Sequence, residues 1–270
     1  MPFESLHDRD ELEAFFSLDP ILHLYSLGDL DPAFWPYTTW YGTREGGTLG
    51  EVVLLYLGLA LPTVQAFVSR DVGCAAALLA ELLPALPARF HAHLGPPELE
   101  DTLRQQRAFA PYGLSLRLRL DDPAQLELAE PSGLVVLGAD DEAAIRALLA
   151  VAYPHNFFEP RMLDSGLYLG VHRQGELVAM AGLHVRSERY QAAALGNVAT
   201  RPDWRGRGLG RAITAALCRR LLDRGIERIG LNVREANLAG RALYEGLGFA
   251  THLRYQEGVA SSMDQAPGGS

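Results

Sequence analysis

The stretch Leu195-Gly196-Asn197-Val198-Ala199-Thr200-Arg201-Pro202-Asp203-Trp204-Arg205-Gly206-Arg207-Gly208-Leu209-Gly210 decides how this chain is read. Ala192–Thr200 reads as an apolar strand that stops at Arg201-Pro202. Gly208–Asp223 reads as a long helix with Leu209, Ile213 and Leu217 on its core face. Between them lies a turn with three glycines. Glycine lets a backbone approach an anion and aim successive N–H groups at it, and a helix N-terminus adds unpaired donors and the positive end of its dipole. Arg205, Arg207 and Arg211 add permanent charge. The segment is expected to be an anion cradle; an ordinary tight strand–helix connection is the bland alternative.

Two familiar phosphate loops do not fit. The GxGxxG dinucleotide fingerprint is absent, and the turn follows several strands of its domain with no acidic residue placed for a ribose. All 24 basic residues are arginine, which excludes the lysine-centred Walker loop and Schiff-base chemistry.

Outward from the turn, Arg228–Val233 reads as a strand, Asn237–Leu247 as a helix and Thr251–Gln256 as a last strand. Upstream, Gly133–Gly138, Leu167–His172 and Glu176–Val185 read as strands, the last two joined at Gln174-Gly175. A helix capped by Asp140 or Asp141 runs to about Val151. The stretch Asp121-Asp122-Pro123 to Gly133, with two prolines, reads as a domain boundary. Before it lie a helix at Asp10–Phe16, aromatic residues Phe34–Tyr41, strands at Glu51–Leu57 and Thr63–Val68, helices at Cys74–Leu83 and Pro97–Gln106, and an alternating strand at Leu114–Leu120. The domains expected are 1–125, a smaller α/β N-terminal domain; 131–260, a mixed, mostly antiparallel sheet with flanking helices; and 261–270, a disordered tail.

Composition agrees with a globular protein: 270 residues, net charge −9, 48% hydrophobic and 21% charged. Cys74 and Cys218 sit among apolar residues and read as small buried hydrophobes, so neither a disulfide framework nor a metal site is expected. The acidic N-terminus lacks a signal-peptide pattern. The apolar run Val52–Val68 is broken by Pro62, Thr63 and Gln65 and reads as two strands rather than a membrane span, which makes the expected location cytoplasmic. Residues 1–130 hold eight arginines against nineteen acids, whereas Arg201–Arg220 holds six arginines and only Asp203. One compact basic segment in an acidic chain argues against a nucleic-acid face.

The turn, together with Asn237-Leu238-Ala239-Gly240-Arg241-Ala242-Leu243-Tyr244-Glu245-Gly246-Leu247-Gly248-Phe249, resembles the GNAT superfamily of acyl-CoA-dependent N-acyltransferases. Arg205, Gly208 and Gly210 match its Arg-x-x-Gly-x-Gly turn. Asn237, Ala242, Leu243, Tyr244, Gly248 and Phe249 match its later motif. The resemblance covers about Gly133 to Gln256 and implies the GNAT fold, with the N-terminal domain a candidate degenerate GNAT-like half that lacks the cradle.

The resemblance further implies that the N–H groups of Arg207 to Arg211, with Arg205, Leu209 and Gly208 to Gly210, hold the pyrophosphate of acetyl-CoA. Val198 and Ala199, on a strand that splays from its parallel neighbour, pair with the pantetheine. Asn237 meets the pantetheine or caps the last helix, and Tyr244 protonates the leaving thiolate. Phe157 and Phe158, with Glu159, line the acceptor pocket, while Trp204 and Phe249 pack. The implied reaction is direct attack by a primary amine of a small molecule, amino acid or peptide on the thioester. A non-catalytic acyl-CoA sensor is the alternative. The expected partners are that acceptor and a second copy of the chain in a homodimer, with neither nucleic acid nor membrane.

Many GNAT relatives use a glutamate on the strand before the turn as base, and Leu195–Thr200 has none. Glu159, His155, His184, Glu188 and a water held by Asn197 remain as alternatives.

Overall fold

The computed structural model describes residues 3–154 and 156–265. They form two compact units. The first takes Met1–Arg117, Arg234–Ala236 and His252–Ser270; the second takes Leu118–Val233 and Asn237–Thr251.

Along the chain come β1 (Glu4–Leu6), α1 (Arg9–Phe16), α2 (Leu24–Asp29), β2 (Thr38–Glu45), β3 (Thr48–Tyr56), β4 (Thr63–Phe67), α3 (Val72–Leu82), β5 (Arg89–Gly95), α4 (Pro97–Arg104) and β6 (Ala108–Leu120). They are followed by β7 (Leu134–Val136), α5 (Glu142–Ala152), β8 (Leu169–Arg173), β9 (Glu176–Ser187), β10 (Ala192–Thr200), α6 (Leu209–Leu222), β11 (Arg228–Arg234), α7 (Leu238–Glu245) and β12 (Phe249–Ser261). Apart from α2, the second series repeats the first. Each has a strand, a helix, three strands, a helix, a strand, a helix and a long last strand.

In the first unit β1 to β4 pair antiparallel and β4 runs parallel to β5. In the second, β7 to β10 pair antiparallel and β10 runs parallel to β11. The two apolar runs read from Val52–Val68 are β3 and β4, as expected. Among the described residues no helix is long and apolar enough to cross a membrane. Each core follows from patterning. In the first unit Leu78, Leu79 and Leu82 of α3 pack on Val64 and Ala66 of β4 and Phe90, Ala92 and Leu94 of β5. In the second, Ile145, Leu148 and Leu149 of α5 pack against Met180 of β9 and Ala199 of β10.

Local chemistry sets the boundaries. Asp8 caps α1 and Asp71 caps α3 through their carboxylates. Gln174 and Gly175 both have positive φ, 53° and 82°, as a two-residue hairpin needs.

Several expectations change. The last strand is not Thr251–Gln256 but runs from Phe249 to Ser261, and its Gln256–Ser261 pair antiparallel with Leu94–Arg89 of β5. Within the first unit β12 lies between β5 and β6. The N-terminal region is therefore not a smaller domain ending near residue 125, because chain from the C-terminal end completes it. Of the tail 261–270, Ser261 ends β12 and Met263–Gln265 form a 3-10 turn; residues 266–270 lie outside the described part. The boundary stretch is held rather than free. Leu126 is buried, Arg219 donates to its carbonyl, and the Asp121 and Asp122 N–H groups donate to Gly248 O at 2.9 and 3.0 Å. Cys218 is buried as expected, and burial pushes its thiol up to about 12. Cys74 is only half-buried, because it lies in the first turn of α3 beside the capping Asp71.

The polar face of β12 belongs to a buried cluster in the first unit. Glu257 accepts from Ser115 Oγ at 2.7 Å and lies 3.2 Å from His93 Nε2. Burial opposes its charge, but His93, Ser115 and Arg234 overcome that and hold its carboxyl at about 2. A depressed carboxyl stabilises the fold above its unfolded value, near 4.5, and that contribution is lost as pH falls toward 2. Buried His23, held neutral with its pKa lowered to about 3, loses stability in the same direction below 6.5. Glu257→Gln is therefore expected to be less stable at pH 7 by on the order of 3 kcal/mol and to show a flatter acid slope between pH 4.5 and 2. Urea midpoints measured across that range check this; an unchanged slope would exclude Glu257 as its source.

Candidate active site

β10 and β11 pair parallel from Ala192↔Arg228 to Leu195↔Leu231 and no further, although β10 continues to Thr200. The strands part where the sequence reading placed a splay. β10 also bulges there: between the pairs Gly196↔Gly182 and Ala199↔Met180, Asn197 and Val198 oppose Ala181 alone. Asn197 has φ +52°, the left-handed region that asparagine tolerates.

The turn from Arg201 to Gly208 leads into α6. Gly208 is the N-cap, at φ +76°, with no side-chain cap; a Cβ built there would meet nothing within 4 Å. The N–H groups of Leu209, Gly210 and Arg211, in the first turn, have no intrahelical acceptor. Gly210 is buried, and a Cβ on it would come 3.2 Å from Leu243 Cδ1 and from Thr200 Oγ1, so the start of α6 packs against both α7 and the end of β10.

The three arginines are exposed and each supports the loop. Arg205 donates to Thr200 O at 3.1 Å and Ala152 O at 3.2 Å. Arg207 stacks 4.4 Å over Trp204 and donates to Asp203 O at 3.3 Å. Arg211 donates to Gly246 O at 2.6 Å, at the C-terminus of α7. Their charge surrounds the helix start whether or not these bonds persist with an anion present.

Of the two roles open to Asn237, the structure shows the cap: its Oδ1 accepts from Gly240 N–H at 3.0 Å. Tyr244 is half-buried on α7, edge-on to Phe249 with ring centroids 5.9 Å apart. Burial, then the neighbouring Tyr153 and Cys218, push its phenol above the ordinary range, so it keeps its proton at neutral pH.

On the sheet face of the bulge, Phe157 meets the His184 ring edge-on at 6.2 Å and Phe158 meets the Tyr168 ring edge-on at 5.9 Å. The His184 ring covers Gly196 so closely that no Cβ would fit. Tyr168, which sequence reading did not single out, ties this cluster together. Its phenol lies 2.8 Å from Leu183 O, which can only accept, so Tyr168 donates there. Its oxygen must then accept from Asn197, 3.0 Å away, and this fixes Nδ2 as the group facing it. Asn197 Oδ1 therefore points elsewhere; it is buried and accepts no hydrogen bond among the described residues.

The base candidates separate. Glu188 is exposed beyond the end of β9, 3.3 Å from Arg186 and remote in the strand from the bulge. Glu159 is half-buried at the start of the 3-10 turn Pro160–Ser165, next to Phe158. Asn197 is in the bulge itself, and the His184 ring lies over the neighbouring Gly196. His155 lies outside the described residues.

The pattern of the acetyltransferase (GNAT) family matches residues 125–249, which hold the splayed strands, the cradle and Tyr244. Residues 125–249 thus carry a GNAT acetyltransferase domain. A mycothiol acetyltransferase of Salinispora tropica is 40% identical over 107 residues, covering 37% of this chain and 34% of that protein. The match thus spans about a third of that relative. A mycothiol acetyltransferase of Thermobispora bispora is 29% identical over 265 residues, 92% of this chain and 79% of that protein. A tandem GNAT protein from the clavulanic acid biosynthesis pathway, solved without acetyl-CoA, shares the fold. Its TM-score is 0.54 at 20% identity, over 96% of this chain and 98% of that one.

Proposed function

We propose that the protein transfers an acetyl group from acetyl-CoA to the primary amine of a small molecule, in a ternary complex at the second unit. The observation that carries this is the parting of β10 and β11 beyond Leu195 and Leu231, directly before the unpaired N–H groups of α6. A linear amide chain fits a gap in a strand ladder, and a pyrophosphate fits a helix N-terminus. Acetyl-CoA has both parts in series. Gly208 to Arg211, with Arg205 and Arg207, would hold the pyrophosphate, and Val198 and Ala199 the pantetheine. Capping by Asn237 orients α7 rather than gripping the cofactor.

In this reading the bulge turns backbone N–H toward the thioester carbonyl, where negative charge develops on attack. Tyr244, protonated at neutral pH, gives its proton to the departing thiolate. Phe157 and Phe158 form the acceptor wall. The buried, unpartnered oxygen of Asn197 is the group at the bulge suited to receive an amine N–H or a water. The mycothiol acetyltransferase relatives support a small-molecule acceptor.

Gly208→Asn tests the cradle. Asparagine tolerates the left-handed backbone, so the fold should hold while a side chain enters the open space before α6. Coenzyme A affinity by calorimetry should fall more than about tenfold with melting temperature little changed. Gly210→Val should also weaken binding, but with a stability loss, since its side chain meets Leu243 and Thr200. Unchanged affinity in folded Gly208→Asn would sink the assignment. Thiol release from acetyl-CoA with a panel of small amines tests transfer; binding without release by any of them would favour the sensor alternative.

A further inference from the structure

The first unit repeats the topology of the second, so its β4–α3 connection stands where the second has its cradle. Four features of that connection differ. First, β4 and β5 do not part. They pair from Thr63↔His91 to Phe67↔Gly95, and Val68 N–H then donates to Gly95 O at 3.0 Å. Second, the connection is only Val68-Ser69-Arg70-Asp71, with no glycine.

Third, its N–H groups are already used. Glu51, on β3 and 1% exposed, accepts from Ser69 N–H at 2.9 Å through Oε2, and from Arg70 and Asp71 N–H at 2.6 and 2.7 Å through Oε1. Fourth, the Asp71 carboxylate takes Cys74 N–H at 2.8 Å in the first turn of α3. Two fixed carboxylates thus stand where an incoming phosphate would need to bind. In the second unit the β9 residues beside the end of β10, Leu177 to Met180, are apolar and buried, and bring no acid to the cradle.

We infer that Glu51 is a built-in anion that fills and closes the first unit's counterpart of the donor cradle, so that each chain binds a single donor molecule, in the second unit. The physical logic is substitution. A carboxylate with three N–H donors provides the charge-assisted bonds that a phosphate otherwise would, without the entropy cost of capturing a ligand. With those donors satisfied and the strands joined, neither the pyrophosphate nor the amide arm of a nucleotide thioester has a place. The donor stoichiometry rests on the proposed function; the role of Glu51 as an internal anion does not.

Two experiments on the full chain test the inference. In calorimetric titration with coenzyme A, one equivalent should bind, and Gly208→Asn should weaken all of it. A second equivalent, or a component untouched by that substitution, would overturn the inference. In the other, Glu51→Gln and Glu51→Ala should each lower the melting temperature by roughly 5–10 °C. Inorganic phosphate, against chloride at equal ionic strength, should raise the melting temperature of Glu51→Ala saturably and leave the wild type unmoved. Glu51→Gln, which keeps the size but loses the charge and one acceptor, decides the matter if the alanine variant does not fold. Wild-type stability in Glu51→Gln, or a phosphate effect no larger in Glu51→Ala than in the wild type, would show that the carboxylate is not acting as an anion there. If the wild type binds no coenzyme A, the proposed function falls, and the phosphate comparison alone decides the role of Glu51.

Discussion

Tyr244→Phe is expected to lower kcat by about 10²-fold with coenzyme A affinity nearly unchanged. The substitution keeps the ring that meets Phe249 edge-on and removes only the hydroxyl. That hydroxyl is held neutral by burial and by Tyr153 and Cys218, two further acids that would repel a phenolate. A phenol with a raised pKa stays protonated at neutral pH, so it has a proton to give a departing thiolate and is not available as a base toward an incoming ammonium. The defect should accordingly shrink with acyl donors whose thiols are more acidic, because they leave without help. Steady-state kinetics with acetyl-CoA and an activated aryl thioester check both parts. An equal kcat in the variant, or a defect independent of the leaving group, would make the hydroxyl a bystander.

The site was legible where its chemistry is local in sequence. Strand, glycine turn and helix start follow one another from Ala192 to Gly210, and the proposed anion cradle rests on that order, so β10 and α6 fall where the pattern puts them. Tyr168 was invisible because its role comes from Leu183 and Asn197, on two other strands. Glu51 reads only as a stray charge at the start of an apolar run; its three N–H partners lie eighteen to twenty residues away. The end of the sheet is hidden in the sequence for a related reason. Gln256, Glu257 and Gly258 look like the end of a strand when water is assumed on one face. In the folded chain Glu257 faces Ser115 and His93, so polarity there signals a buried network rather than solvent.

That long last strand yields the largest expected effect on stability. A chain ending at Tyr255 loses six residues that pair with Leu94 to Arg89 of β5. It also loses the carboxylate of Glu257, the fully buried Ala260 that joins the α3–β5 core, and Ser262, whose N–H donates to Ala88 O at 2.8 Å. Because β12 lies between β5 and β6 within the first unit, its loss exposes two strand edges at once rather than shortening one. Buried Ser115 and half-buried His93 would lose their partner, and a buried polar group without one costs roughly 1–3 kcal/mol. Against a typical total stability of about 5–15 kcal/mol, losses of this kind together remove cooperative folding. The truncated chain is expected to be insoluble, or to bind ANS and lack a near-UV circular dichroism spectrum. A chain ending at Ser262 keeps every one of these contacts and should unfold as the full chain does. If the chain ending at Tyr255 instead melts sharply at the wild-type temperature, β12 beyond that point is an ornament on a first unit that is complete without it.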